Sequence, residues 1–132
     1  MKFVFALVWG ALLFVFTCAA DSSFWSVPEI PYFQWTPYPD FRKMTVIDVM
    51  ATSQFIIRKI GHCFGFTTFT MLIYWNIKSL KNSFILAVSY AALTEFMQLY
   101  FGRDGRIYDI LIDSAGVVIG VLLSLSIRKL KS

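Results

Sequence analysis

Four apolar blocks, at residues 3–20, 55–77, 84–101 and 109–127, constrain this chain more than anything else in it. Each is about 18 residues or longer, close to what an α-helix needs to cross the roughly 30 Å hydrocarbon core of a bilayer. A soluble domain of 132 residues would interleave polar and apolar positions, whereas here 58% of residues are hydrophobic, 15% are charged, and the apolar ones are clustered. The expected fold is an all-α integral membrane protein. Its single domain, residues 1–132, would be a four-transmembrane-helix bundle with an aromatic, Pro-rich interfacial loop at residues 21–53 between helices 1 and 2.

The first block opens on Lys2 and closes on Thr17-Cys18-Ala19-Ala20 before Asp21. A secretory signal has that shape too, but the apolar run is long for a signal core, and a retained first helix is the preferred reading. Twelve basic against eight acidic residues leave a net charge of +4. The basic residues sit at the ends of apolar blocks, where they snorkel and set topology, so nucleic acid is excluded as a partner. Lys2, Lys78, Lys81, Arg128, Lys129 and Lys131 fall on one side, and Arg42, Lys43, Arg58, Lys59, Arg103 and Arg106 on the other. That balance is even. Lys2 ahead of the first helix, and Asp21, Glu29, Asp40 and Asp48 in the long loop, point to a multi-pass cell-membrane protein with both termini cytoplasmic. Cys18 and Cys63 read as packing residues rather than a disulfide.

Pro28, Pro31, Pro37 and Pro39 prevent a continuous helix through the first half of the long loop. Trp25, Tyr32, Phe33, Trp35, Tyr38 and Phe41 surround them, and such rings favour the headgroup zone. The loop is therefore read as an interfacial anchor, with a lid or sugar-stacking surface as the functional alternative. The spacing of Val46, Ile47, Met50 and Ala51 predicts a short interfacial helix over residues 44–54. A polar turn over residues 78–83 makes the second and third helices antiparallel neighbours.

Within this frame the polar residues of the spans form a layer at one membrane face. Lys59 and His62 begin the second span, Glu95 and Gln98 lie near the end of the third, and Asp109 and Asp113 begin the fourth. Separations of three or four residues put each pair on one helical face. Charged groups at membrane depth cost about 2.5 to 3.5 kcal/mol each on insertion scales, so these need partners. Arg103 and Arg106, on the loop between the last two spans, are expected to supply cations to Glu95, Asp109 and Asp113. Gly116 and Gly120 continue the Asp109 face and permit close helix contact. A network that merely ties three helices together is the structural alternative. Its density favours a functional layer, since apolar packing would hold a bundle at lower cost.

Glu95, Gln98 three later, Gly102-Arg103, Asp109, Asp113 and Gly116, preceded by Arg58-Lys59 and His62, together resemble the VanZ-like family of small bacterial membrane proteins. The likeness covers about residues 55–123. This chain departs from the family at Gly65, Phe66 and Phe101, where an acidic residue, an aromatic that is often Tyr, and a Pro are usual. The resemblance implies a cell-envelope role and an association with low-level resistance to the glycopeptide teicoplanin, without an assigned reaction. The first functional expectation is a binding protein for a glycopeptide or lipid-linked wall precursor at the outer leaflet, with membrane lipid as its surroundings. Lys59, Arg103 and Arg106 would contact phosphate or carboxylate, within a site that also holds His62, Glu95, Gln98, Asp109 and Asp113. The second is a membrane enzyme using His62 with Glu95 or Asp113 as acid and base on a lipid headgroup. The third is an interaction protein with Gly116 and Gly120 at an inter-subunit contact. The sequence holds no nucleophile motif, no recognisable metal-ligand spacing and no cofactor signature, so neither metal nor cofactor is expected, with metal binding through His62, Glu95 and Asp113 as the lesser alternative.

Overall fold

A computed structural model describes residues 2–20, 27–47 and 53–131. Four α-helices account for most of them: α1 (Lys2–Cys18), α2 (Ser53–Ile77), α3 (Leu80–Tyr100) and α4 (Ile107–Leu130), with a 3-10 turn at Phe41–Thr45. The described residues contain no strand. The link between α2 and α3 is shorter than the polar composition of residues 78–83 suggests. Ser79 caps α3 by accepting a hydrogen bond from the Asn82 N–H at 3.3 Å, and the Ser83 hydroxyl donates to the Ser79 carbonyl at 2.8 Å. What reads as a turn is therefore mostly the first turn of a helix. The reversal falls on Lys78, whose φ of 60° is unusual for a residue with a side chain.

α2 and α4 form the closest pair, because α4 presents glycine where the two backbones meet. A Cβ at Gly116 would collide with the Cys63 carbonyl, and one at Gly120 would stand 2.7 Å from the Thr67 carbonyl oxygen. The Thr67 hydroxyl lies 2.8 Å from the Cys63 carbonyl and 2.9 Å from that of Gly116, where it donates across the seam. Gly116 and Gly120 are thus spent within the chain. The close helix contact expected of them is made with α2. Leu13, Phe66, Phe69, Ile73, Ala87, Ala91 and Val117 form the apolar core. Two aromatic polar edges fasten α1 to it, Trp9 Nε1 donating to the Gly65 carbonyl at 2.9 Å and Tyr90 Oη to that of Gly10 at 2.6 Å.

The outside of the bundle is apolar on every helix. Phe5 and Leu7 on α1, Ile60 and Phe64 on α2, Ile85 and Leu93 on α3, and Leu111 and Leu122 on α4 are all exposed. By length and composition α4 is the one helix among the described residues that suffices to cross a membrane, while Phe3–Cys18 is a shorter apolar helix. α2 and α3 fall short of the four-span expectation because Arg58, Lys59 and His62, and then Lys81, Glu95 and Gln98, dilute their apolar runs.

Residues 27–47 are drawn across one end of the bundle. The Thr36 N–H donates to the Tyr100 carbonyl at 2.6 Å, and the Ala20 N–H to that of Tyr32 at 2.8 Å. Trp35 stacks on Tyr100 at 5.3 Å between ring centroids, and Phe33 meets Phe101 edge-on at 5.4 Å. The Asp40 carboxylate caps the 3-10 turn through the Arg42 N–H at 3.0 Å, and the backbone is extended again at Val46. The short helix expected over residues 44–54 is therefore absent up to Ile47. Met50 and Ala51 lie outside the described residues, as do Asp21, Trp25 and Asp48. Cys18 and Cys63 are free thiols, the first buried and the second partly so.

Candidate functional site

At the same end of the bundle as the aromatic strap, the polar residues of α2, α3 and α4 meet. Glu95 and Asp113 are fully buried, Gln98 and Asp109 nearly so, and Lys59 and His62 partly. Lys59 forms an ion pair with Asp109, joining α2 to the first turn of α4. Its ammonium also lies 5.0 Å from the ring centroids of Phe55 and Tyr108, an aromatic cage that shields the pair from water and adds cation–π attraction. One turn deeper, His62 Nδ1 stands 3.3 Å from Asp113 Oδ1. Neither Asp113 oxygen has a hydrogen bond of good geometry among the described residues.

Glu95 is held from two directions. Gln98 Nε2 donates to Oε1 at 2.8 Å from the next turn of α3, and the Arg106 backbone N–H donates to Oε2 at 3.0 Å. The second bond depends on Gly105, where a Cβ would fall on the Glu95 carbonyl oxygen. Glycine at that position lets the loop press against α3 closely enough to bring a main-chain donor to the carboxylate.

The loop arginines also reach groups that the spacing of charges did not point to. Arg103 Nη1 donates to the Ala19 carbonyl at 2.7 Å, at the negative end of α1. Arg106 Nη1 donates to Tyr108 Oη at 3.1 Å and Nη2 stands 3.5 Å from Asp104. What Arg106 gives Glu95 is its backbone N–H, while its largely buried side chain runs to Tyr108 and Asp104. Outside the helices, Lys43 Nζ lies 2.9 Å from Asp104 Oδ1, and this hydrogen bond holds the Asp104 carboxyl below the usual range for aspartate.

Three groups that sequence reasoning left aside therefore shape the site: Gly105, Phe55 and Tyr108. Gly105 had a signal in the repeated glycine-arginine of Gly102-Arg103 and Gly105-Arg106. Phe55 had one in its place four residues before Lys59 on α2, while Tyr108 had none, because it reaches the ammonium from another helix. His62, Glu95 and Asp113 each bring one ligand atom to within 4.8 Å of the others. The arrangement can orient a histidine with a carboxylate, hold an anion against Lys59, or hold a cation between carboxylates.

An all-helical bundle with an apolar exterior and ion pairs buried at one end has the character of a small membrane protein. The chain belongs to the VanZ/LLP1 family, whose pattern matches residues 2–128. It is 31% identical over 111 residues, 83% of this chain and 79% of the relative, to the uncharacterized membrane protein YwnJ of Bacillus subtilis (strain 168). No solved structure matches it.

Proposed function

We propose that this protein is a four-span membrane protein of the cell envelope, with both termini cytoplasmic, that binds the polar head of an amphiphile in its buried layer. Helices of 17, 25, 21 and 24 residues have lengths suited to a bilayer. The exposed Phe, Leu and Ile side chains on all four would be untenable in water and suit lipid tails. The observation that carries the functional reading is an aromatic strap packed on the end of α3, at the same end of the bundle as the polar layer. Tyr38 is 90% exposed and Trp35 58% exposed, so apolar and sugar-stacking surface lies beside groups that recognise charge. An amphiphile with a glycan or phosphate head, such as a lipid-linked wall precursor or a lipoglycopeptide of the teicoplanin type, has the matching chemistry. Family membership supports this direction through the resistance association of the VanZ name.

The test is binding of teicoplanin and of a polyprenyl-linked wall precursor to the detergent-solubilised protein, followed by tryptophan fluorescence. Saturable binding is expected, weakened at least about tenfold in Trp35→Ala and Glu95→Gln, since each removes a contact of roughly 1.4 kcal/mol or more. Binding unchanged in variants that still fold would remove the layer as the site. His62 oriented by Asp113 is the observation that favours an enzyme instead. Release of the headgroup by the parent and not by His62→Ala would establish that reading in the same assay.

A further inference from the structure

The buried layer holds more negative charge than its described hydrogen bonds and ion pairs satisfy at one point, Asp113. Lys59 balances Asp109. Glu95 has two good donors. Asp113, with no exposed surface, has none of good geometry among the described residues; the His62 ring stands 3.3 Å away. An ionised carboxylate left that way in a low-dielectric interior is among the costliest arrangements a protein holds, and the usual remedies are a hydrogen-bonded partner or a metal ion.

We infer that His62, Glu95 and Asp113 form a binding site for a divalent transition-metal ion of zinc's class. The donor set is one imidazole nitrogen and two carboxylates, which suits zinc better than magnesium or calcium. Ligand atoms about 2.1 Å from a tetrahedral zinc are about 3.4 Å apart. The separation of His62 Nδ1 and Asp113 Oδ1, 3.3 Å, already has that value, and all three donors lie within 4.8 Å of one another. Small side-chain rotations would close the set. The charges also agree, since two carboxylates and a neutral imidazole cancel a 2+ ion.

Two further features fit a metal site. Gln98 Nε2 and the Arg106 N–H each occupy one Glu95 oxygen, fixing the carboxylate as outer-shell donors fix ligands, while each oxygen keeps a second lone pair. The His62 side chain is 22% exposed, which provides the ion with an entry path from the surface. Three protein donors leave a fourth coordination position for water or for an oxygen of a bound headgroup. The site itself does not depend on the amphiphile reading.

Untagged protein purified in detergent, loaded with zinc alone and desalted, tests this by elemental mass spectrometry. The parent is expected to retain about one equivalent, and His62→Ala and Asp113→Asn at least about tenfold less, while Lys43→Ala matches the parent. Because His62 is partly exposed, its replacement keeps the bundle, which elution profile and helicity will verify. Cobalt in place of zinc gives a second readout on the parent alone, an intense four-coordinate absorption band displaced by zinc. A parent that holds less than about a tenth of an equivalent, a folded His62→Ala that keeps the full complement, or cobalt showing only the weak band of the hydrated ion overturns the site. No lipid or glycopeptide is present in these measurements, so this inference and the proposed binding function fail separately.

Discussion

The two ends of the bundle treat charge in opposite ways. At the α3–α4 loop end, Glu95, Asp109 and Asp113 are buried and meet groups from other helices or the loop. At the other end Lys78, Arg128 and Lys131 line a cavity of about 780 Å³ together with Leu72, Trp75 and Ile127. No acidic residue lines that cavity. Cations at a helix end reach water or headgroups by extending, and need no protein partner. Buried carboxylates have no such outlet, so their positions are specified by three helices and a loop. The difference teaches where precise geometry is required of this chain: at the loop end, where the carboxylates are buried.

The largest test of that contrast is to break the Lys59–Asp109 pair. Lys59→Ala leaves Asp109 buried without its cation and is expected to cost about 3 kcal/mol, whereas Lys131→Ala should stay within about 0.5 kcal/mol. Denaturant-induced unfolding in detergent micelles measures both. The double change Lys59→Met with Asp109→Leu should recover most of the loss, because it removes both charges together. Equal, small effects at Lys59 and Lys131 would erase the distinction between the ends.

Next in size is the α2–α4 seam. Gly116→Ala places a methyl against the Cys63 carbonyl, which has no side-chain freedom to withdraw, and should cost about 1 to 3 kcal/mol. Gly61, on the exposed face of α2 with nothing within 4 Å of its would-be Cβ, is the control. There alanine should stabilise the helix by up to about 1 kcal/mol. Thermal melts of the two variants should move in opposite directions from the parent.

The smallest effect belongs to Lys43 and Asp104, which join the strap to the loop at side-chain exposures of 44% and 52%. Exposure and salt screening limit this pair to about 0.5 kcal/mol. Its pH dependence has a definite sign. Asp104 is more acidic folded than unfolded, so its contribution is complete above the unfolded value of about 3.9 and disappears as pH falls through the folded one. The stability gap between the parent and Lys43→Ala should therefore be present at about pH 6, vanish near pH 2 and shrink in high salt. A gap that grew on acidification would contradict the pairing.

Local spacing carried much of this architecture. Separations of three and four residues placed Lys59 with His62, Glu95 with Gln98 and Asp109 with Asp113, and the Gln98–Glu95 hydrogen bond at 2.8 Å is such a pair in contact. The loop between α3 and α4 was harder to read. Arg103 and Arg106 were matched to the buried carboxylates by charge, but side-chain direction in a loop depends on its path. That path takes one guanidinium to Ala19 and the other to Asp104 and Tyr108. The strap misled for a similar reason: its periodicity suggested helix at Val46 and Ile47, while ring contacts with Phe96 and Tyr100 and the Asp40 cap hold the preceding segment as a 3-10 turn.

By itself the sequence determined the helical class, the apolar exterior, the family and the three same-face polar pairs, because each of these is set by composition or by helix periodicity. Tertiary structure alone decided that Lys59 takes Asp109 while His62 takes Asp113, that Gly105 delivers a backbone donor to Glu95, and that Asp113 has no hydrogen bond of good geometry among the described residues. Those outcomes follow from how far each helix is rotated and how closely two backbones approach, and no interval along a single chain encodes either quantity.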